Sequence, residues 1–274
     1  MTRSIQKGVR RLYARKGSAP LALITGGSSG MGKVYAEQLA GCGCDVLLVS
    51  NQKELLSSCE SQLSARYGVQ VYSYYCDLTD VHAPQALFDY CQSLQLQVDI
   101  LINNAGMFFF KELDYQNDKA RVNAILKLHI DSITHACLLF GEQMKARGYG
   151  YILNVSSMTA SLPVPGLTLY SATKAYLKSF SSSYYFEMRP YGVGVTVVCP
   201  AAVATPLYNI KEFWMKWGLR TGVINSPQWL VKRALKGLFR KRKIVRPGLL
   251  NYLVPALIHL FPNALVSYLW KKIK

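Results

Sequence analysis

Apolar and polar positions along this chain fall into two alternating patterns. Short apolar runs rich in β-branched residues recur at 21–24, 45–50, 69–75, 98–102, 151–155 and 193–199, each of strand length. Between them lie stretches of helical character at 33–40, 54–67, 84–93 and from Tyr170 to Arg189. Runs that are apolar throughout suit strands covered on both faces, and strands that alternate with helices pair in parallel. The predicted fold is α/β: one domain built on a doubly wound parallel sheet.

Both ends of the chain depart from this pattern. In residues 1–20, Ile5, Val9, Leu12 and Tyr13 recur at spacings of three and four among Arg3, Lys7, Arg10, Arg11, Arg15 and Lys16. That is a basic amphipathic helix able to lie on lipid headgroups, or else a frayed basic tail. Residues 247–274 form an apolar appendage broken by Asn251, Pro255, His259, Pro262 and Asn263, which suits two short helices better than one membrane span. In the second of these, Leu265, Val266, Leu269, Trp270 and Ile273 share a face edged by Lys271, Lys272 and Lys274. Such a face lies in an anionic interface, or packs on the core or a second subunit. The domain between the ends, 21–246, includes an aromatic segment at about 206–229 with Tyr208, Phe213, Trp214, Trp217 and Trp229. It is expected to cover a hydrophobic small-molecule substrate, the alternative being plain packing between lid and core.

Charge sharpens the picture. The net charge of +17 sits at the ends, since 1–20 carry six Lys/Arg and no acid, and 211–274 carry fourteen against Glu212 alone. A weakly acidic middle with basic ends points to an anionic membrane surface or acyl-CoA phosphates, not nucleic acid, because the basic residues lie among Leu, Ile and Trp. Seven scattered cysteines, with no metal-type spacing, argue for a reducing compartment and no metal site. With no secretory pattern at the start, the expected location is cytoplasmic, peripheral on the cytoplasmic face of a membrane.

The candidate chemistry lies at strand ends. Thr25-Gly-Gly-Ser-Ser-Gly-Met-Gly32 turns from the first strand into a helix, so a pyrophosphate can approach the backbone and rest on the helix amino end. The tip of the second strand, Ser50-Asn51-Gln52-Lys53, has no acid to repel a 2′-phosphate, which favours NADP (NADPH) over NAD. Asp77, at the end of the third strand, either accepts from an adenine amino group or caps the following helix. Asn103-Asn-Ala-Gly106 leaves room for a cofactor and supplies amides that tie strands together. After the strand ending at Ser156 and Ser157, a helix opens with Tyr170 and Lys174 one turn apart on one face. A phenol, ordinarily with a pKa of about 10, handles protons at neutral pH only when a nearby ammonium favours its phenolate. Taken alone the pair is an ordinary surface pair; the company it keeps changes that.

In order and spacing, the glycine-rich turn, Asn103-Asn-Ala-Gly106, Ser157 and Tyr170-Ser-Ala-Thr-Lys174 resemble the short-chain dehydrogenase/reductase family, over roughly residues 20–210. The fold it implies is Rossmann-like. Leu162-Pro-Val-Pro165, between serine and tyrosine, is most similar to the branch holding 3-ketoacyl-CoA reductases and 17β-hydroxysteroid dehydrogenases. The resemblance implies hydride transfer between a nicotinamide and a carbonyl or alcohol carbon. Tyr170 would be the acid in reduction, Lys174 its activator and the holder of the nicotinamide ribose, and Ser157 the partner of the substrate oxygen. It implies cofactor contacts from Gly26, Ser28, Ser29, Gly30, Met31 and Gly32, from Ser50, Asn51, Asp77 and Leu78, and from Asn103, Ala105 and Gly106. Pro200, Val203 and Thr205 would border the nicotinamide. A homodimer or tetramer is the expected assembly, and the rival reading is a scaffold that keeps the fold without turnover. The sequence departs from the family in two places. His129 stands where an asparagine usually bends the helix and orders a water behind the lysine; it either orders that water or is a core histidine. Ala201 replaces the usual glycine and slightly stiffens its turn.

Overall fold

The computed structural model describes residues 3–162, 164–205, 224–248, 251–254, 268 and 270–272. The expected lid falls largely outside the described residues, as does most of the C-terminal appendage.

Seven strands form one parallel sheet: β1 (Leu21–Thr25), β2 (Asp45–Ser50), β3 (Val71–Tyr75), β4 (Val98–Asn103), β5 (Gly150–Val155), β6 (Val193–Val198) and β7 (Ile244–Val245). Their order is β3-β2-β1-β4-β5-β6-β7, so the winding reverses between β1 and β4. Ligands of such sheets bind at that switch point, beyond the carboxyl ends of the strands. Strands β1, β4, β5 and β6 are buried along almost their whole length, which explains their unbroken apolar runs.

Successive side chains of each strand enter two separate cores. Ala22, Ile24, Leu48, Ile102 and Leu153 pack beneath α1 (Arg3–Lys16), α2 (Gly30–Ala40) and α3 (Lys53–Tyr67). Leu23, Leu47, Leu101 and Ile152 face α4 (Ala83–Ser93) and two longer helices, α6 (Ser132–Arg147) and α7 (Thr168–Met188). The helix α5 (Tyr115–Leu126) runs into α6 through a π-turn at Lys127–Asp131. A further helix, α8 (Pro227–Phe239), returns to the first face.

Helix α1 corrects one expectation. Its apolar stripe, Ile5, Val9 and Leu12, is buried in the first core, and Gly8 lies against the Phe239 ring of α8. Burying three aliphatic side chains stabilises this docking by roughly 1.5–3 kcal/mol each. The stripe is therefore covered by protein and not offered to lipid, while Arg3, Lys7, Arg10 and Arg11 point outward. Lys16 closes the docking by donating to Asp99 at 2.9 Å.

The continuous helix Gln116–Arg147 is, among the described residues, the one stretch long and apolar enough to cross a membrane. Its Ile133, Cys137, Phe140 and Met144 are buried in the second core, so that face packs on protein. Of the appendage's expected apolar face, Trp270 lies edge-on to Phe110 with ring centroids 6.2 Å apart.

Candidate active site

A cavity of about 400 Å³ opens at the switch point. Its floor is the turn after β1. Gly26 has φ of 64°, in the left-handed region, and a Cβ at position 32 would run into the Gly26 carbonyl oxygen. The helix therefore starts at Gly30, three residues before the apolar pattern suggests, with its first turn pressed against the loop.

Most of the expected cofactor contacts do line this cavity: Gly26, Ser28, Ser29, Gly30, Met31, Ser50, Asn51, Asp77, Leu78, Ala105, Gly106 and Thr205. Four do not. Gly32 serves the turn from behind, and Asn103 points into the core, donating to Asn154 Oδ1 on β5 at 2.8 Å. Pro200 accepts from the Met158 amide, and Val203 is buried and bridges to Asn225. The neighbour Asn104 takes the place expected of Asn103. Its Nδ2 donates to the Thr25 carbonyl at 3.0 Å, while its Oδ1 is buried with no partner among the described residues. Asp77 caps no helix: its Oδ1 accepts from the Thr79 amide and hydroxyl at 2.9 Å, and it stays exposed at the cavity rim. At the β2 tip, the Ser50 and Ser28 hydroxyls lie 2.8 Å apart, and the Gln52 amide donates to Ser50 Oγ at 3.2 Å.

A dinucleotide fits these residues. The turn is closed to side chains yet open to an anion, hydroxyls and amides stand at its adenosine end, and Asn104 Oδ1 is a buried acceptor awaiting a donor.

The residues expected to react stand near Gly106, on the cavity's other side. Strand β5 delivers Ser156 and Ser157; the former donates to the Lys174 carbonyl at 2.7 Å, fixing α7 to the strand end. Ser157 Oγ accepts from the Thr159 amide at 3.2 Å in a short 3₁₀ turn. Tyr170 and Lys174 share a face of α7, with Lys174 Nζ 5.6 Å from the Tyr170 ring centroid. Lys174 reaches across to the Val155 carbonyl at 3.0 Å, and it sits 3.7 Å from where a Cβ on Gly106 would lie, next to a residue that lines the cavity. Burial removes water from the ammonium and lowers its pKa from 10.5 to about 8, against a small opposing effect of Cys199.

His129 is fully buried. Its Nε2 accepts from the Met107 amide and its Nδ1 meets Thr173 Oγ1, both at 3.0 Å. Both ring nitrogens are thus engaged by protein groups. Burial, reinforced by the Lys174 charge, holds its pKa well below the usual 6.5.

The sequence reading passed over Phe108, Phe109 and Phe110. The first stands edge-on to Tyr170 with centroids 5.2 Å apart, and the second joins Ile125, Leu167 and Tyr170 in a small apolar cluster. The signal was three consecutive aromatics directly after Gly106.

The short chain dehydrogenase family profile matches residues 20–214. The chain is 32% identical, over 261 residues, to the very-long-chain 3-oxoacyl-CoA reductase of Bos taurus, covering 92% of this chain and 77% of that one. Among solved structures, a short-chain dehydrogenase from Sphingobium yanoikuyae in complex with NADPH superposes with a TM-score of 0.74 at 29% identity, covering 89% and 97% of the two chains. A bulky-bulky ketone specific alcohol dehydrogenase from Comamonas testosteroni superposes with a TM-score of 0.73 at 27% identity, covering 90% and 96%. Sequence similarity at this level, carried along nearly the whole chain, places it by descent: the protein belongs to the short-chain dehydrogenase/reductase family of nicotinamide-dependent oxidoreductases.

Proposed function

We propose that this enzyme reduces a ketone on a long apolar substrate, a 3-oxoacyl thioester first among them, with NADPH as the cofactor. The observation that carries the reading is a buried ammonium, Lys174, close both to Gly106 of the cofactor cavity and to Tyr170, whose ring also meets Phe108 edge-on. When bound, the cofactor supplies the hydride. The Tyr170 hydroxyl gives its proton to the carbonyl oxygen, and the positive Lys174 favours the negative charge left on the phenol oxygen. Ser157 holds the substrate oxygen as its charge develops. The apolar character of Phe108, Phe109 and Leu167, extended by Phe110 and Trp270, supports an acyl chain or fused ring over a sugar. The name of the bovine relative points to the thioester. Hydroxyl and amide groups at Ser28, Ser50 and Gln52, with no acid among them, support NADPH.

The test is oxidation of NADPH by the full chain with a long-chain 3-oxoacyl-CoA, a long-chain ketone, a ketosteroid and a ketose. Turnover is expected with the apolar compounds, fastest with the thioester, and not with the ketose. NADPH bound but never oxidised would instead favour a scaffold.

A further inference from the structure

His129 has no part in the proton and hydride steps, yet both its ring nitrogens are engaged beside the reacting pair. The Met107 amide can only donate, so Nε2 is the bare nitrogen. Nδ1 then carries the ring proton and donates to Thr173 Oγ1. Thr173 in turn donates its own hydrogen to the Tyr170 carbonyl, 2.8 Å away. One fixed donor at Met107 thus sets the direction of every bond in the series. The series joins the loop after β4, whose Gly106 and Met107 line the cofactor cavity, to the turn of α7 that carries Tyr170 and Lys174.

Local backbone geometry accompanies this placement. In the π-turn at Lys127–Asp131 the Ser132 amide reaches back five residues to the Lys127 carbonyl, adding a residue to the turn that holds the imidazole against α7. The His129 and Tyr170 rings meet edge-to-face at 5.8 Å.

We propose that His129 is a positioning residue, held as the neutral Nδ1–H tautomer, which sets the cofactor loop Asn104–Met107 against the Tyr170–Lys174 turn and relays no proton. Neither nitrogen has capacity left to order a water, so the role an asparagine plays at this place in the family is exchanged here for a direct strut. The strut requires a neutral ring. A second ring N–H would point at the Met107 N–H, and the added charge would face Lys174. The groups facing the ring are Lys174, whose charge bears on it, and the Tyr170 ring, both from α7, with Cys199 after β6 acting on Lys174, while the loop after β4 presents backbone.

The functional meaning rests on Tyr170 and Lys174 being the reacting pair, whereas the tautomer does not, and the experiment separates the two. In the ¹⁵N-labelled full chain, two-bond histidine side-chain spectra recorded from about pH 5.5 to about 8 span the range in which an ordinary imidazole titrates. The signal lost in His129→Gln is assigned to His129. It is expected to show a protonated Nδ1 and a bare Nε2 throughout. An Nε2–H tautomer, or titration near the ordinary value, overturns the proposal whether or not any ketone is turned over. Kinetics then test the strut. His129→Leu, which makes neither bond, is expected to lower kcat tenfold to a hundredfold with little change in KM, the scale of one or two lost hydrogen bonds. In His129→Gln the amide oxygen can reach Met107 and should recover most of that loss. Equal losses in both variants, or losses that follow Tm instead of the Met107 bond, overturn it.

Discussion

Two buried charges at opposite edges of the same sheet are treated in opposite ways. At the amino edge, Asp99 is wholly enclosed and fully answered. Its Oδ2 accepts from Lys16 and from the Leu21 amide at 2.9 Å each, and its Oδ1 accepts from Gln97 at 2.9 Å with Arg147 at 3.9 Å. At the carboxyl edge, Lys174 is equally enclosed but has a carbonyl as its bond partner, and no carboxylate pairs with it among the described residues. A compensated buried charge holds elements in place, here α1 against β1 and β4. An uncompensated one stores free energy, and a fold tolerates that where the charge is needed by the reaction.

Either charge can be removed separately. Asp99→Ala should give the largest effect, because it leaves Lys16 and Arg147 facing each other without their partner. A loss of about 3–5 kcal/mol is expected, read as a Tm lowered by roughly 10 °C, with activity per folded molecule nearly unchanged. A shift of only a degree or two would show that the network is ornamental.

Lys174→Met should do the reverse. Turnover is expected to fall at least about a hundredfold, while the protein becomes more stable. Because the folded-state pKa lies below the unfolded one, the unfolded chain binds more protons between about pH 8 and 10.5. The native ammonium therefore costs roughly 3 kcal/mol below about pH 8, and the cost fades as pH rises toward 10.5. Tm of the variant should exceed that of the native protein at neutral pH, with the gap closing in alkali. A constant gap, or none, would mean that Lys174 is not strained. The native reductase rate should decline as pH passes about 8 and the ammonium is lost.

Ser50→Asp is the gentlest change: it places a second carboxylate, besides Asp77, at the end of the cavity near the β2 tip. The ratio of NADPH to NADH efficiency is expected to drop about tenfold, and an unchanged ratio would move the discrimination away from the β2 tip.

The parts legible in the sequence were those with a local signal. Six strands announced themselves as apolar runs, and the i, i+4 spacing alone put Tyr170 and Lys174 on one face of α7. What was hidden depended on long-range choice. The stripe of Ile5, Val9 and Leu12 says that a helix has an apolar side, but lipid and a sheet flank satisfy it equally. Strand β7 has two residues between Lys243 and Arg246, too few to show a period. Asn103 and Asn104 differ only in which way the strand end points them, into the core or toward the cavity. The strut at His129 depends on a π-turn, which breaks the 3.6-residue count on which sequence reading relies.

In the proposed reaction Tyr170, beside Lys174, supplies the proton to a ketone while the cofactor lies in the cavity above the glycine turn. Tyr170→Phe removes one hydroxyl and leaves the ring against Phe108. Single-turnover oxidation of NADPH by the variant should fall by about a thousandfold or more, with NADPH affinity within about twofold of the native protein. A variant that reduces the ketone at a rate near the native one would contradict the assignment.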